Sequence, residues 1–335
     1  MSRRRRLRLL LALALASVLL WAAGLAAGGD GWSPAGLWQL LQGPDAALIV
    51  GQIRAPRSLG AWLTGALLGL AGALAQGLFR NPLADPFLLG SASGASAAVV
   101  AVLAAGTLVG QAALPAAGLL SRVGLVGAAF FGALGGVLLT LMLARGAQHS
   151  LRLLLAGVVV GVVLSALSDL ITMVVPEALR GRQVFMLGST AFLGWDSCLL
   201  LALGLGLTLP LAQRLSRVLD ALVLGEDSAR SLGLALPRWR LLLVCLLAAA
   251  TGLAVSQAGL VAFVGLAAPH LVRRIAPGAH GYTLLASAAA GAVLLSAADV
   301  AARTWIAPQE LPVGVLTAVF GGIYLLWLLN RQRDA

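Results

Sequence analysis

Residues 59–79 read LGAWLTGALLGLAGALAQGLF, twenty-one positions without a charged side chain and with Gln76 as the strongest polar group. Wound as a helix at 1.5 Å per residue, such a stretch is about 30 Å long, the thickness of a bilayer's hydrocarbon core. Lipid offers the backbone no hydrogen-bond partners, so a segment of this kind crosses as a helix. Gly65, Gly69, Ala73 and Gly77 recur every fourth position and form one small-residue face. That face predicts close approach of another helix in a compact bundle, a more economical reading than a pore lining.

The same composition extends in both directions. Of 335 residues, 60% are hydrophobic and only 10% charged, with a mean hydropathy of +0.97. A soluble domain is about a quarter charged, so this chain has too little polar surface to be one. The reading is an all-α, polytopic membrane protein with about ten transmembrane helices, forming a single domain over 1–335. The apolar runs place spans near 7–27, 58–79, 88–108, 122–144, 151–175, 196–214, 238–257, 259–275, 282–304 and 312–330, the eighth being the shortest. Gly132 with Gly136, and Gly157 with Gly161 and Ser165, repeat the small-residue spacing in spans four and five.

All 23 basic residues are arginine, against 12 acids, for a net charge of +11. The arginines are scattered between apolar runs, which excludes a nucleic-acid-binding face. With both termini in the cytoplasm, 17 arginines fall inside and six outside (Arg54, Arg57, Arg122, Arg180, Arg182 and Arg303), the asymmetry expected of cytoplasmic loops. The first span has the flavour of a signal peptide, with small residues near Ala26–Gly29. Removing it would leave nine spans and set the basic C-terminus against the count.

The missing lysine excludes a GxxxxGK[ST] phosphate loop and Schiff-base chemistry. Cys198 and Cys245 give no disulfide framework, and His149, His270 and His280 have no metal-ligand spacing. No catalytic cluster, cofactor site or metal site is expected. Asp169 and Asp299 are the notable intramembrane charges. Their isolation favours helix-end or interhelical hydrogen bonds. They are also the only carriers that an alternative reading, an ion- or proton-coupled secondary transporter, would have.

Three loops stand out. Arg54-Ala-Pro-Arg57, with Arg303 near the same face, is either a cationic platform for carboxylates of another protein or a pair of arginines snorkelling toward lipid phosphate. Arg80-Asn-Pro-Leu-Ala-Asp-Pro86 forms a rigid turn leading into Gly90-Ser-Ala-Ser-Gly94. The connection 215–237 is long enough for two short helices broken near Gly225, with Glu226 and Asp227 opening the second and Gly233 ending it. Such a hairpin suits docking in a cleft of a partner, or lying as an ordinary interfacial helix.

Together these segments resemble the permease family of binding-protein-dependent importers for iron chelates, haem and vitamin B12. The resemblance lies in RAPR at 54–57, GALAQGLFRNPLADPFLLGSASGA at 72–95, LLLAG at 153–157, LGEDSARSLGL at 224–234, GLVAFVGLAAPHLVRRI at 259–275 and the run 298–329. It implies the permease fold of a type II ABC importer in the bacterial inner membrane, assembled as a homodimer or with a related permease. Two separate ATPase subunits would bind ATP and hydrolyse it, and a periplasmic or lipid-anchored binding protein would deliver the cargo. By that resemblance Arg54, Arg57 and Arg303 meet the binding protein. The coupling helices lie at about 219–233, with Gly225, Glu226, Asp227, Ala229, Arg230, Leu232 and Gly233 facing the ATPase. The passage runs at the subunit interface, lined partly by span five, with a cytoplasmic gate at Gln148, His149, Ser150 and Leu151. An iron–siderophore or haem is the leading cargo, and cobalamin the sibling reading.

Overall fold

The computed structural model describes residues 3–28, 31–108, 119–145, 150–231 and 233–333. Helix α1 (Arg3–Ala26) leads through a minimal antiparallel pair, β1 (Ala27–Gly28) with β2 (Gly31–Trp32), to the short α2 (Pro34–Gln42). A π-wound lead-in, Ala47–Arg54, continues directly into α3 (Ala55–Phe79). A 3₁₀ turn (Pro86–Leu89) precedes α4 (Ser91–Leu108), followed by α5 (Leu119–Leu143), α6 (Ser150–Val174), α7 (Glu177–Leu187) and α8 (Trp195–Arg214). Two short helices, α9 (Ser216–Val223) and α10 (Glu226–Ser231), precede α11 (Leu236–Ala258), α12 (Val264–Ile275), α13 (His280–Thr304) and α14 (Val313–Arg333).

Nine of the ten apolar runs are helical over most of the stretch where the sequence places them. Among the described residues, seven helices are long and apolar enough to cross a membrane, and α4 and α14 are shorter apolar helices. The eighth expected span is corrected. Gly259 (φ +67°) ends α11 and Phe263 (φ +67°) sits in the left-handed region, so 259–263 is not helical. The remaining α12 has twelve residues, about 18 Å of helix and too short to cross alone. The irregular backbone before it is tied inside the protein: Leu260 N–H donates to Phe185 O at 2.9 Å, and Ser189 N–H to Ala258 O at 2.8 Å. Irregular chain is tolerated in an apolar surrounding when protein satisfies it.

Helix α3 is the hub, buried from Pro56 to Phe79 except at Leu59 and Trp62. It packs on α13, α11, α12 and α8. Its small-residue face does what the spacing predicts. A Cβ added at Gly65, Gly69 or Gly72 would collide with the carbonyl of Gly291, Ser287 or Gly265. At its end Arg80 adopts φ +51° and its N–H returns to Gln76 O and Gly77 O, a left-handed stop. Gln76 Nε2 donates to Leu266 O at 3.1 Å while its Oε1 accepts from Arg273, tying α3 to α12. A second layer repeats the close packing, with Gly132 and Gly136 against the backbone of Gly94 and Gly90. Gly157 of α6 meets the Leu88 carbonyl. The opposite face of α6 is bare: Leu155, Val159, Val163, Leu170 and Met173 are all exposed.

Candidate functional site

At one end of the bundle the three arginines singled out in the sequence come together, and their setting differs from an outward platform. Asp299, on the last turns of α13, is 1% exposed. It accepts from Arg57 Nε at 3.1 Å, from Thr190 Oγ1 at 2.6 Å and from Arg303. Arg57 also grips Glu310 with both terminal nitrogens at 2.9 Å. Arg303 Nη1 donates to Gly24 O at 2.9 Å, and Arg54 Nη1 to Leu25 O at 2.9 Å. The last carbonyls of α1 have no partner within their own helix and carry the negative end of its dipole, so two guanidiniums complete it. Arg57 and Arg303 are therefore buried and Arg54 half-buried. The groups expected to face outward are held in a ring in which Arg57 and Arg303 meet two carboxylates, with Arg54 beside it on the Leu25 carbonyl. Glu310, with 41% of its side chain exposed, forms the ring's rim.

Along the flank runs a cleft of about 630 Å³ between the 3₁₀ turn, α4 and α6. Its walls are mostly small or apolar, including Gly90, Gly157, Gly161 and Val162, with Ser93 and Ser165 joined at 3.3 Å. Helix α6, the fifth expected span, supplies one wall of this cleft. Two carboxylates mark the cleft. Asp169 is paired with Arg182 of α7 at 2.5 Å, an interhelical bond of the kind its isolation suggested. Asp85 caps the 3₁₀ turn by accepting from Phe87 N–H at 2.8 Å, and burial pushes its pKa up to about 6 against that hydrogen bond. Of the expected gate, Gln148 and His149 lie outside the described residues, Ser150 opens α6, and Leu151 is 70% exposed. Among the described residues no group of three His, Cys, Asp or Glu is placed to hold a metal ion.

The opposite end holds the expected helical hairpin. Helix α9 buries Val218, Leu219, Ala221 and Leu222 and exposes Arg217. Gly225 (φ +105°) makes the break, and Ala229 N–H closes the first turn of α10 onto Gly225 O at 3.0 Å. Ala229 is fully buried, Asp227 and Arg230 pair at 3.3 Å on the exposed side, and Gly233 (φ +80°) ends the helix. Glu226 begins α10, and Leu232 lies outside the described residues. One residue of this hairpin carries a role the sequence did not suggest. Asp220 Oδ1 accepts both the backbone N–H of His280, at 3.0 Å, and a bond from its Nδ1 at 2.7 Å. Sixty positions separate the two, and neither lies in a recognisable motif.

The molecule is thus a bundle of apolar helices with a buried arginine ring at one end and a helical hairpin at the other. The model of the FecCD transport family matches residues 13–331. The chain belongs to the FecCD transport family. It is similar to the vitamin B12 import system permease protein BtuC of Salmonella typhi, 41% identical over 98% of this chain and 97% of the relative. The BtuC protein of Citrobacter koseri is 38% identical over 98% and 96%. A solved inward-facing transporter, assigned to the metal-chelate ABC type, superimposes with a TM-score of 0.84 at 27% identity, covering 97% of this chain and 99% of that one. This FecCD chain is accordingly a multi-pass ABC transporter permease and not an enzyme.

Proposed function

We propose that the chain is the membrane-spanning subunit of an ATP-driven importer of cobalamin, working as a dimer with two separate ATPase subunits and a cargo-binding protein. The observation that carries the cargo is the near full-length 41% identity to vitamin B12 import permeases. The solved metal-chelate transporter, at 27%, supports the broader reading in which an iron chelate takes the same route. The bare apolar face of α6, beside the cleft, is where a second permease would complete the passage. Its walls of glycine, serine and valine hold cargo weakly, and weak binding suits release.

In this reading both termini and the α9–α10 hairpin lie in the cytoplasm of a bacterial inner membrane, as the arginine asymmetry favours. The hairpin seats in the ATPase with Asp227, Arg230 and Val223 outermost. The arginine ring faces the periplasm. There a carboxylate of the binding protein replaces Glu310 on Arg57, an exchange of like for like at a half-exposed rim. A proton-coupled mechanism is less well supported, because Asp169 and Asp299 both have their carboxylates engaged by arginine. Uptake by vesicles holding the permease, its ATPase and its binding protein tests the cargo. Accumulation of cobalamin in preference to ferric siderophore is expected. The reverse preference would reassign the cargo to iron chelates.

A further inference from the structure

The outer arginine ring and the cytoplasmic hairpin are joined by one continuous element, α13. It runs from His280 to Thr304, about 37 Å of helix. Asp299 and Arg303 sit at its outer end and His280 at its inner end. Its N-terminus has no side-chain cap of its own: Ala279 occupies the cap position. The first N–H groups of a helix need partners, and Asp220 of α9 supplies one for His280 while also holding the imidazole. The same point is packed tightly from a third direction. A Cβ at Gly77 of α3 would lie 3.0 Å from His280 Nε2 and 3.2 Å from Leu219 Cδ2. Further up, α3 and α13 touch backbone to backbone at Gly65 with Gly291 and at Gly69 with Ser287. Helices so close cannot slide past each other without collision. Arg57 and Asp299 fasten them again at the far end.

We infer that the Asp220–His280 contact is a clasp that makes the coupling helix α9 and the α3–α13 pair one moving body, carrying ATPase-driven displacement to the arginine ring. This rests on the ATP-driven reading above. Asp220 is thus a positioning residue, acting through His280 and touching neither cargo nor ATP.

The geometry supplies a direct test. A Cβ at Gly281 would stand 3.9 Å from Ser216 Cβ, inside the span a disulfide bridges. In a background with Cys198→Ser and Cys245→Ala, Ser216→Cys with Gly281→Cys would join α9 to α13 covalently. Removing a charge-assisted hydrogen bond by Asp220→Ala should lower ATP-driven cobalamin uptake about tenfold, whereas Asp220→Asn, which keeps the Oδ1 acceptor, should stay near the unmodified rate. Oxidising the cysteine pair in the Asp220→Ala protein should restore uptake, and reduction should remove the rescue. Because a disulfide also stabilises the folded state, melting in detergent is measured beside uptake: loss of uptake by Asp220→Ala at an unchanged melting temperature is expected, and uptake that only tracks the melting temperature would overturn the clasp. If Asp220→Ala prevents folding, His280→Ala takes its place, since it leaves the backbone bond intact. Full uptake by the unlinked Asp220→Ala or His280→Ala protein would overturn the clasp. So would arrest by the cross-link with Asp220 in place, because α9 would then have to move across α13. Absence of ATP-driven uptake by the unmodified protein is a separate result, and it would sink the transport reading itself.

Discussion

Asp299 is the residue on which the arginine ring at the end of α13 depends. Its carboxylate holds two arginines and a threonine in a place almost closed to solvent. Removing one partner of a buried ion pair leaves the others charged and unpaired, at a cost of about 3–5 kcal/mol. Asp299→Ala should therefore melt far below the unmodified protein in detergent, while Glu310→Gln, at the half-exposed rim, should shift stability by less than about 1 kcal/mol. Glu310→Gln should also strengthen capture of the binding protein, measured by surface-immobilised permease, because it frees Arg57 for an incoming carboxylate. Asp85 gives a pH signature of its own. Its folded pKa is raised from 3.8 to about 6 by burial, so the folded state holds the proton more tightly than the unfolded chain. Its contribution to stability is full below pH 3.8 and is lost as pH rises through about 6. Asp85→Asn should flatten the dependence of melting temperature on pH across that window.

The reading of Asp299 as an isolated charge passed over a signal in the sequence. Asp299 and Arg303 are four apart on a helical span, which puts them on one face. Arg57, 242 positions earlier, belongs to the same cluster only because α3 and α13 pack together. The arginines were recognisable as important, but a motif does not say whether a guanidinium points outward or into a ring. The union of Asp220 with His280 had no sequence signal at all.

At the scale of elements, the small-residue faces are the strongest claim. Gly132 lies against the Gly94 carbonyl, so Gly132→Ala overpacks α4 against α5 and should cost about 1–3 kcal/mol, read as a lowered melting temperature in detergent. Gly135, one turn-face away, has open space around its Cα, so Gly135→Ala should be tolerated in the same assay. The long helices were legible because lipid leaves an apolar run no alternative to the helix. Helix α12 was not, since the stretch 259–269 is apolar throughout and hydropathy cannot register the left-handed turns at Gly259 and Phe263. Helix α7 and the π-wound lead-in also escaped notice: α7 mixes Glu177, Arg180 and Arg182 with apolar residues, and the lead-in merges with the span that follows it. The turns of the α9–α10 hairpin were legible, because Gly225 and Gly233 mark them, whereas α9 begins at Ser216, ahead of the expected 219.

At the scale of the whole molecule, α13 spans the distance from the α9–α10 hairpin to the arginine ring. A chain with 23 arginines and no lysine cannot build a GxxxxGK[ST] phosphate loop, which supports the proposal that a partner hydrolyses the ATP. Vesicles containing the purified permease with its ATPase inside and its binding protein outside give the most direct test, by accumulation of labelled cobalamin with and without ATP. The account predicts uptake that requires ATP and the ATPase and continues when a protonophore abolishes the proton gradient. Uptake that persists without the ATPase and collapses with the protonophore would contradict it.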